Sequence, residues 1–204
     1  MTDGVIKFRI DHTPGPALEE SFWRPIEPIR RRLYELGLIG VRDGIGYGNV
    51  SRRLEEGRIV VTATQTGHLP RLDGEGYALV EAYDEAAFRI RSRGAAKPSS
   101  ETLTHAALYE IDPLIGWVIH IHSAPLWEMM MRSKKYLKSA DVPYGTPEMV
   151  REVRRIYEGR DPLKEPLFAM AGHEEGIVAF GRSGEEALQT IEALLSTTSN
   201  PSRY

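Results

Sequence analysis

The sequence predicts a mixed α/β chain, and three observations carry that prediction. Apolar residues recur at helical spacing in several separate stretches, β-branched or alternating runs of strand length lie between them, and glycine or proline punctuates the joins. No 20–50 residue repeat or low-complexity tract is present, so solenoid and propeller architectures are set aside.

In order, residues 1–20 carry Pro14, Gly15 and Pro16 and no clear period, and read as a peripheral arm or a short added strand. From Ser21 the positions Phe22, Ile26, Ile29, Leu33 and Leu36 predict a helix ending near Gly37, with Pro25 and Pro28 close to its start. The glycine-dense stretch Gly44 to Gly48 reads as a loop feeding a strand at Arg58 to Thr62. A polar segment runs to Pro70, and Leu79 to Tyr83 with Phe88 to Arg93 predict a hairpin. Pro98-Ser99-Ser100 precedes a helix over Glu101 to Tyr109, and Trp117 to His122 alternates as a strand. Helices are predicted over Trp127 to Met131, Pro147 to Tyr157 and Glu185 to Leu195, with strands at Leu167 to Ala171 and Ile177 to Phe180.

The 204 residues, 41% of them hydrophobic, can bury a substantial core and match the size of one domain, taken as 21–204 after the 1–20 arm. The 26 basic residues are interspersed with 29 acidic ones, so no nucleic-acid footprint exists. The absence of cysteine excludes disulfides, zinc–thiolate sites and thiol nucleophiles, so any metal must use His, Asp or Glu. No signal peptide or membrane-length apolar run is seen, and the expected location is the cytoplasm.

Three local patterns carry chemistry. In a strand, His120 and His122 project from one face and can reach one ion, although such a pair is also common as packed or surface histidines. Pro98-Ser99-Ser100-Glu101 puts two hydroxyls, open helix amides and a carboxylate within one turn; it reads either as an anion site beside a base or as an ordinary helix cap. Gly48-Asn49-Val50-Ser51 and Thr66-Gly67 can present amides and short polar groups to an anion, or can be plain turns. Arg30, Arg31 and Arg32 read as a solvated helix face, and Met129, Met130 and Met131 as helix core or interface.

In order and spacing, these segments together with a distal histidine resemble the class II aldolase/adducin family over nearly the whole chain. That family includes fuculose-phosphate and rhamnulose-phosphate aldolases, ribulose-phosphate 4-epimerases, methylthioribulose-phosphate dehydratases and, more remotely, the adducin head domain. The resemblance implies a three-layer α/β/α fold with a mixed, largely antiparallel central sheet, assembled as a homotetramer. It implies one divalent ion per chain, zinc first with manganese, cobalt or iron as alternatives, held by His120, His122 and His173. It makes Glu101 the acid/base, and Asn49, Thr66, Gly67, Ser99 and Ser100 the phosphate contacts.

The implied reaction is retro-aldol cleavage of a small ketose phosphate through a metal-stabilised enediolate. Epimerisation, dehydration and a non-catalytic adducin-like role are the alternatives. Gly172-His173-Glu174-Glu175-Gly176 departs from the family's His-Gly by two apparent extra residues, so Glu175 competes with His173 as third ligand. The segment between Trp127 and Val142 is shorter than in sugar-phosphate aldolases. Tyr136, Tyr144 and Tyr204 stand as candidates for a second acid, and His68 and His105 are weaker candidates near the phosphate loop and Glu101.

Overall fold

The structure, a computed structural model, describes residues 8–84 and 86–198. Eleven strands and six helices occur in the chain order β1 (Arg9–Pro14), α1 (Glu20–Trp23), α2 (Glu27–Glu35), β2 (Gly40–Arg42), β3 (Ile45–Tyr47), β4 (Asn49–Arg53), β5 (Ile59–Thr62), β6 (Tyr77–Asp84), β7 (Arg89–Gly94), α3 (Thr102–Ile111), β8 (Trp117–His122), α4 (Ala124–Arg132), β9 (Leu137–Lys138), α5 (Pro147–Tyr157), β10 (Leu167–Ala169), β11 (Gly176–Gly181) and α6 (Gly184–Thr198). Nine strands form one sheet in the order β1-β7-β6-β5-β4-β8-β11-β10-β9, and β2 and β3 pair separately. Only the two edge pairs, β1 with β7 and β9 with β10, are parallel. The sheet is therefore mixed and largely antiparallel.

Alternation along the central strands divides the apolar residues between two cores, one on each face of the sheet. Val118, Val178 and Phe180 join α3 and α5 residues such as Leu103, Ala107, Val150 and Val153 on one face. Ile119, Ile121 and Ile177 join Ile29 and Leu33 of α2, Leu126 and Met130 of α4, and Ile191 of α6 on the other. Helices thus cover both faces, giving the three-layer α/β/α arrangement. Helix α5 illustrates the local logic. Thr146 accepts from Met149 N at 3.4 Å as its cap, Pro147 opens the first turn, and Met149, Val150, Val153, Ile156 and Tyr157 form one buried stripe.

Of the two readings of residues 1–20, the added strand holds: the segment contributes β1 to the sheet edge and buries Phe8 and Leu18. Three other local expectations are revised. The helix expected from Ser21 to Gly37 is broken between Trp23 and Glu27, where Pro25 offers no amide to continue the ladder. The glycine-dense loop is the β2–β3 hairpin, whose two central residues, Asp43 and Gly44, both have positive φ, as a two-residue type I′ connection requires. Arg30 is buried rather than solvated, with 1% exposure, while Arg31 and Arg32 are exposed as expected. No helix among the described residues is long and apolar enough to cross a membrane.

Candidate functional site

Strand β8 sets out the first two histidines. His120 lies opposite Asn49 of β4 and Val178 of β11, and His122 lies opposite Gly176, so all of these share the α3/α5 face. The Nδ1 of His120 donates to Ile177 O at 3.2 Å, a tautomer that leaves the Nε2 lone pair facing His122. The two Nε2 atoms are 3.1 Å apart.

His173 arrives from the turn joining β10 to β11. His173 N donates to Met170 O, Gly176 N to His173 O, and Met170 N to Gly176 O, which closes the turn. Glu175 takes up the excess length at φ 66°. Gly176 must lack a side chain here, because a Cβ would lie 3.1 Å from His173 Cγ and 3.2 Å from His120 Cε1. His173 then stacks on Tyr144, with centroids 4.4 Å apart and planes 26° apart.

His120, His122 and His173 are all buried and offer nitrogen atoms within 4.8 Å of one another. Two nitrogens bound to one tetrahedral zinc at 2.0–2.1 Å are about 3.4 Å apart, so the 3.1 Å between the Nε2 atoms of His120 and His122 suits a shared ion. The donor set is neutral nitrogen, which suits zinc, iron, cobalt or manganese better than calcium. Glu175 is turned away: its carboxylate pairs with Arg42 of β2 at 2.6 Å.

Glu101 stands at the N-terminal end of α3 with its Oε1 3.3 Å from His173 Nδ1, and its Oε2 accepts from Thr104 Oγ1 at 3.2 Å. Its carboxyl is 2% exposed. Burial pushes its pKa up, but the contact with His173 and then the electrostatic effect of His120 outweigh that, and the group ends below the usual Glu range. Behind it, His105 is fully buried and paired through Nδ1 with Ser51 Oγ at 2.7 Å, which also meets Tyr109 OH at 2.7 Å. Burial, followed by the charge of His120, lowers the His105 pKa to about 3, so this ring is neutral.

A cleft collects these groups. Asn49, Thr66, Gly67, Ser99, Ser100, Glu101, His120, His122 and His173 all line it, so the nine residues to which the resemblance gave metal, acid/base and phosphate roles converge there. Ser99 Oγ accepts from Glu101 N at 3.3 Å, and Thr66 Oγ1 donates to Ala63 O at 2.8 Å. Asn49 Oδ1 is buried without a hydrogen-bond partner among the described residues, which leaves an acceptor in the wall. A wider cavity of about 390 Å³ opens from His122 and His173 and is lined by Arg42, Tyr144, Glu174 and Glu175.

The weaker sequence candidates separate. Tyr144 joins the site, whereas His68 is exposed and bonds Gln65 O through Nδ1 at 3.0 Å. Tyr136 packs at the edge of the opposite core, and Tyr204 lies outside the described residues. Sequence reading missed Gln65, whose Oε1 accepts from Gly46 N at 2.9 Å and ties the β2–β3 hairpin to the cleft. It missed Gly176 as well, although a glycine beginning a strand was a visible signal.

A model of the Class II Aldolase and Adducin N-terminal domain matches residues 29–198. The chain belongs to this family. Among curated family relatives, a methylthioribulose-1-phosphate dehydratase of Pseudomonas paraeruginosa is 41% identical over 167 residues, 71% of this chain and 78% of that protein. Another protein of that name, from Gluconacetobacter diazotrophicus, is 35% identical over 115 residues, 55% of this chain and only 48% of its own length. A 3-oxo-tetronate 4-phosphate decarboxylase of Haemophilus influenzae is 28% identical over 167 residues, 74% of this chain and 75% of that protein. A solved L-fuculose 1-phosphate aldolase superposes with a TM-score of 0.66 at 19% identity, covering 86% of this chain and 82% of the other, which shows the shared fold.

Proposed function

We propose that the chain is a metal-dependent lyase acting on a small ketose phosphate, and that its reaction is loss of water next to the carbonyl. The observation carrying this reading is the convergence of three buried imidazoles and one buried carboxylate at one end of a cleft whose other wall is Ser99, Ser100, Thr66 and Gly67. In it, His120, His122 and His173 hold one divalent ion, zinc first. That ion supplies Lewis-acid polarisation of the substrate carbonyl.

The chain's own groups do the rest. Ser99, Ser100, the Thr66–Gly67 turn and Asn49 hold the phosphate and fix which carbon faces Glu101. Glu101, ionised and with Oε2 steadied by Thr104, takes the proton from the carbon beside the carbonyl. The C–H electron pair becomes a carbon–carbon double bond as the neighbouring hydroxyl leaves; the proton returned to it makes water. Buried His105, neutral and tied to Ser51, contributes shape and not charge.

Water loss is placed ahead of aldol cleavage because the relatives of 41% and 35% identity are named dehydratases. It is placed ahead of decarboxylation on charge. The cavity beyond His173 offers one cation, Arg42, already engaged by Glu175, with Glu174 beside them. A second substrate carboxylate would meet an excess of negative charge there, whereas a neutral tail would not. Aldol cleavage remains the second reading, since it starts from the same proton-ready carboxylate and the same carbonyl.

The test is a panel of ketose phosphates, with and without a carboxylate at the far end, incubated with the zinc-loaded protein and followed by proton NMR. A 2,3-diketone phosphate or its enol from the neutral-tailed members supports the proposal. Aldehyde release or carbon dioxide reassigns the reaction, and no turnover with any member, together with no bound metal after purification, points to a non-catalytic scaffold. A homotetramer is the assembly expected alongside this function, and light scattering during size exclusion measures it.

A further inference from the structure

Arg30 is the bulkiest of the fully buried side chains, and nothing in the reaction above uses it. It lies on α2, on the far side of the wall that Thr66 and Gly67 present to the cleft. Its Nη2 donates to Thr66 O at 3.1 Å, and Leu69 N donates to the same oxygen at 3.1 Å. The guanidinium sits over the Tyr34 ring at 5.4 Å, and Nη1 has no hydrogen-bond partner among the described residues. Glu27, the nearby carboxylate, is committed elsewhere: it accepts from Tyr77 OH at 2.8 Å and from Leu72 N at 3.0 Å. A guanidinium stays charged when buried, so a cation with an unmet donor lies beneath the cleft wall, an arrangement that costs stability.

The geometry of the peptide shows what that charge reaches. The 66–67 peptide is trans, so the Thr66 carbonyl and the Gly67 N–H of the same unit point in opposite directions. Arg30 and Leu69 hold the carbonyl on the inner side, which turns the Gly67 N–H outward, and Gly67 lines the cleft. Gly67 N donates to no group among the described residues. A charged donor on the carbonyl also polarises the unit and strengthens its N–H as a donor. No side chain fits at this point, since a Cβ on Gly67 would sit 2.1 Å from Gly40 O.

We propose that Arg30 is a positioning residue for anion binding: gripping the Thr66 carbonyl from behind, it aims the Gly67 N–H into the cleft and backs it with a buried positive charge. This rests on the reading of the Thr66–Gly67 turn as part of the phosphate site. Because Arg30 grips the back of the wall, its removal should weaken binding of the phosphate and leave the histidine cluster and Glu101 intact.

The experiment titrates inorganic phosphate into zinc-loaded parent, Arg30→Met, Arg30→Gln, Arg30→Lys and Ser100→Ala proteins, with zinc content measured on each. Expected is a rise of ~10-fold or more in the phosphate Kd for Arg30→Met and Arg30→Gln, the scale on which groups behind a binding residue act. Arg30→Lys should recover most of the affinity, and zinc content should stay at the parent value throughout. With substrate, Arg30→Met and Arg30→Gln should raise KM and move kcat little. If Arg30→Met fails to fold, the contrast of Gln against Lys decides. Phosphate affinity unchanged in folded Arg30→Gln, while Ser100→Ala weakens it, overturns the role of Arg30. Affinity unchanged in Ser100→Ala as well shows that the phosphate site itself was misassigned.

Discussion

The Tyr144 ring lies against the His173 ring at 4.4 Å, nearly parallel, and His173 in turn meets Glu101 at 3.3 Å. Tyr144 is 2% exposed and belongs to the Pro143–Thr146 turn that leads into α5, so the orientation of one candidate ligand depends on a separate helix start. Removing the ring should loosen His173. Tyr144→Ala is expected to weaken zinc binding by ~10-fold or more, in line with partners that orient metal ligands, and Tyr144→Phe to leave it unchanged. Competition with a chromophoric chelator measures both; equal affinity in all three proteins would show that the stack does not hold the ligand.

His122→Ala should abolish most zinc binding, since it removes one of the three proposed ligands and leaves two neutral nitrogens. His12 makes the control. It sits on β1 at the sheet edge, bonded to Ser92 Oγ at 3.0 Å, and its replacement by Ala should leave zinc stoichiometry untouched. Elemental analysis after dialysis distinguishes the two.

Glu101→Gln keeps the shape and the Thr104 contact but removes the basic oxygen. Turnover should fall by ~100-fold or more, the usual contribution of a positioned acid or base, while zinc binding persists through the three histidines. Turnover near the parent rate would move the search for the base to other carboxylates, beginning with Glu175.

His105 predicts a pH dependence of stability. Its folded pKa, about 3, lies below its ordinary 6.5, so between those values the unfolded chain binds a proton that the folded chain refuses. Stability should therefore fall as pH drops from about 6.5 toward 3, by up to ~1.4 kcal/mol per unit from this group. His105→Gln removes the titration. Urea unfolding of metal-free parent and variant between pH 7.5 and 4 should show a shallower loss for the variant, and parallel curves would count against a buried neutral ring.

Much of this architecture was legible because β8 and β11 have strand character in sequence and α5 has a single apolar stripe. His120 and His122 share a face by the period of two alone. The misreadings have physical causes. Three consecutive arginines suggest a solvated face, yet Ile26, Ile29 and Leu33 place position 30 on their own buried side, a helical-spacing argument that charge alone obscured. The Asp43-Gly44 pair is a strong hairpin signal hidden among other glycines. No local pattern could show that His173 rather than Glu175 is brought beside His120 and His122, because that is decided by the Arg42 pairing and the space at Gly176, both contacts between distant segments.

Strand β8 is sixth among nine, zipped on both sides to β4 and β11 and covered above and below by helices. Amides at such a position exchange with solvent only when the whole sheet opens. The imidazoles it carries are held in place by the most persistent part of the molecule, so the metal-free protein should retain its fold and offer the proposed metal site ready-made, unlike a zinc finger, which gains its shape from the metal.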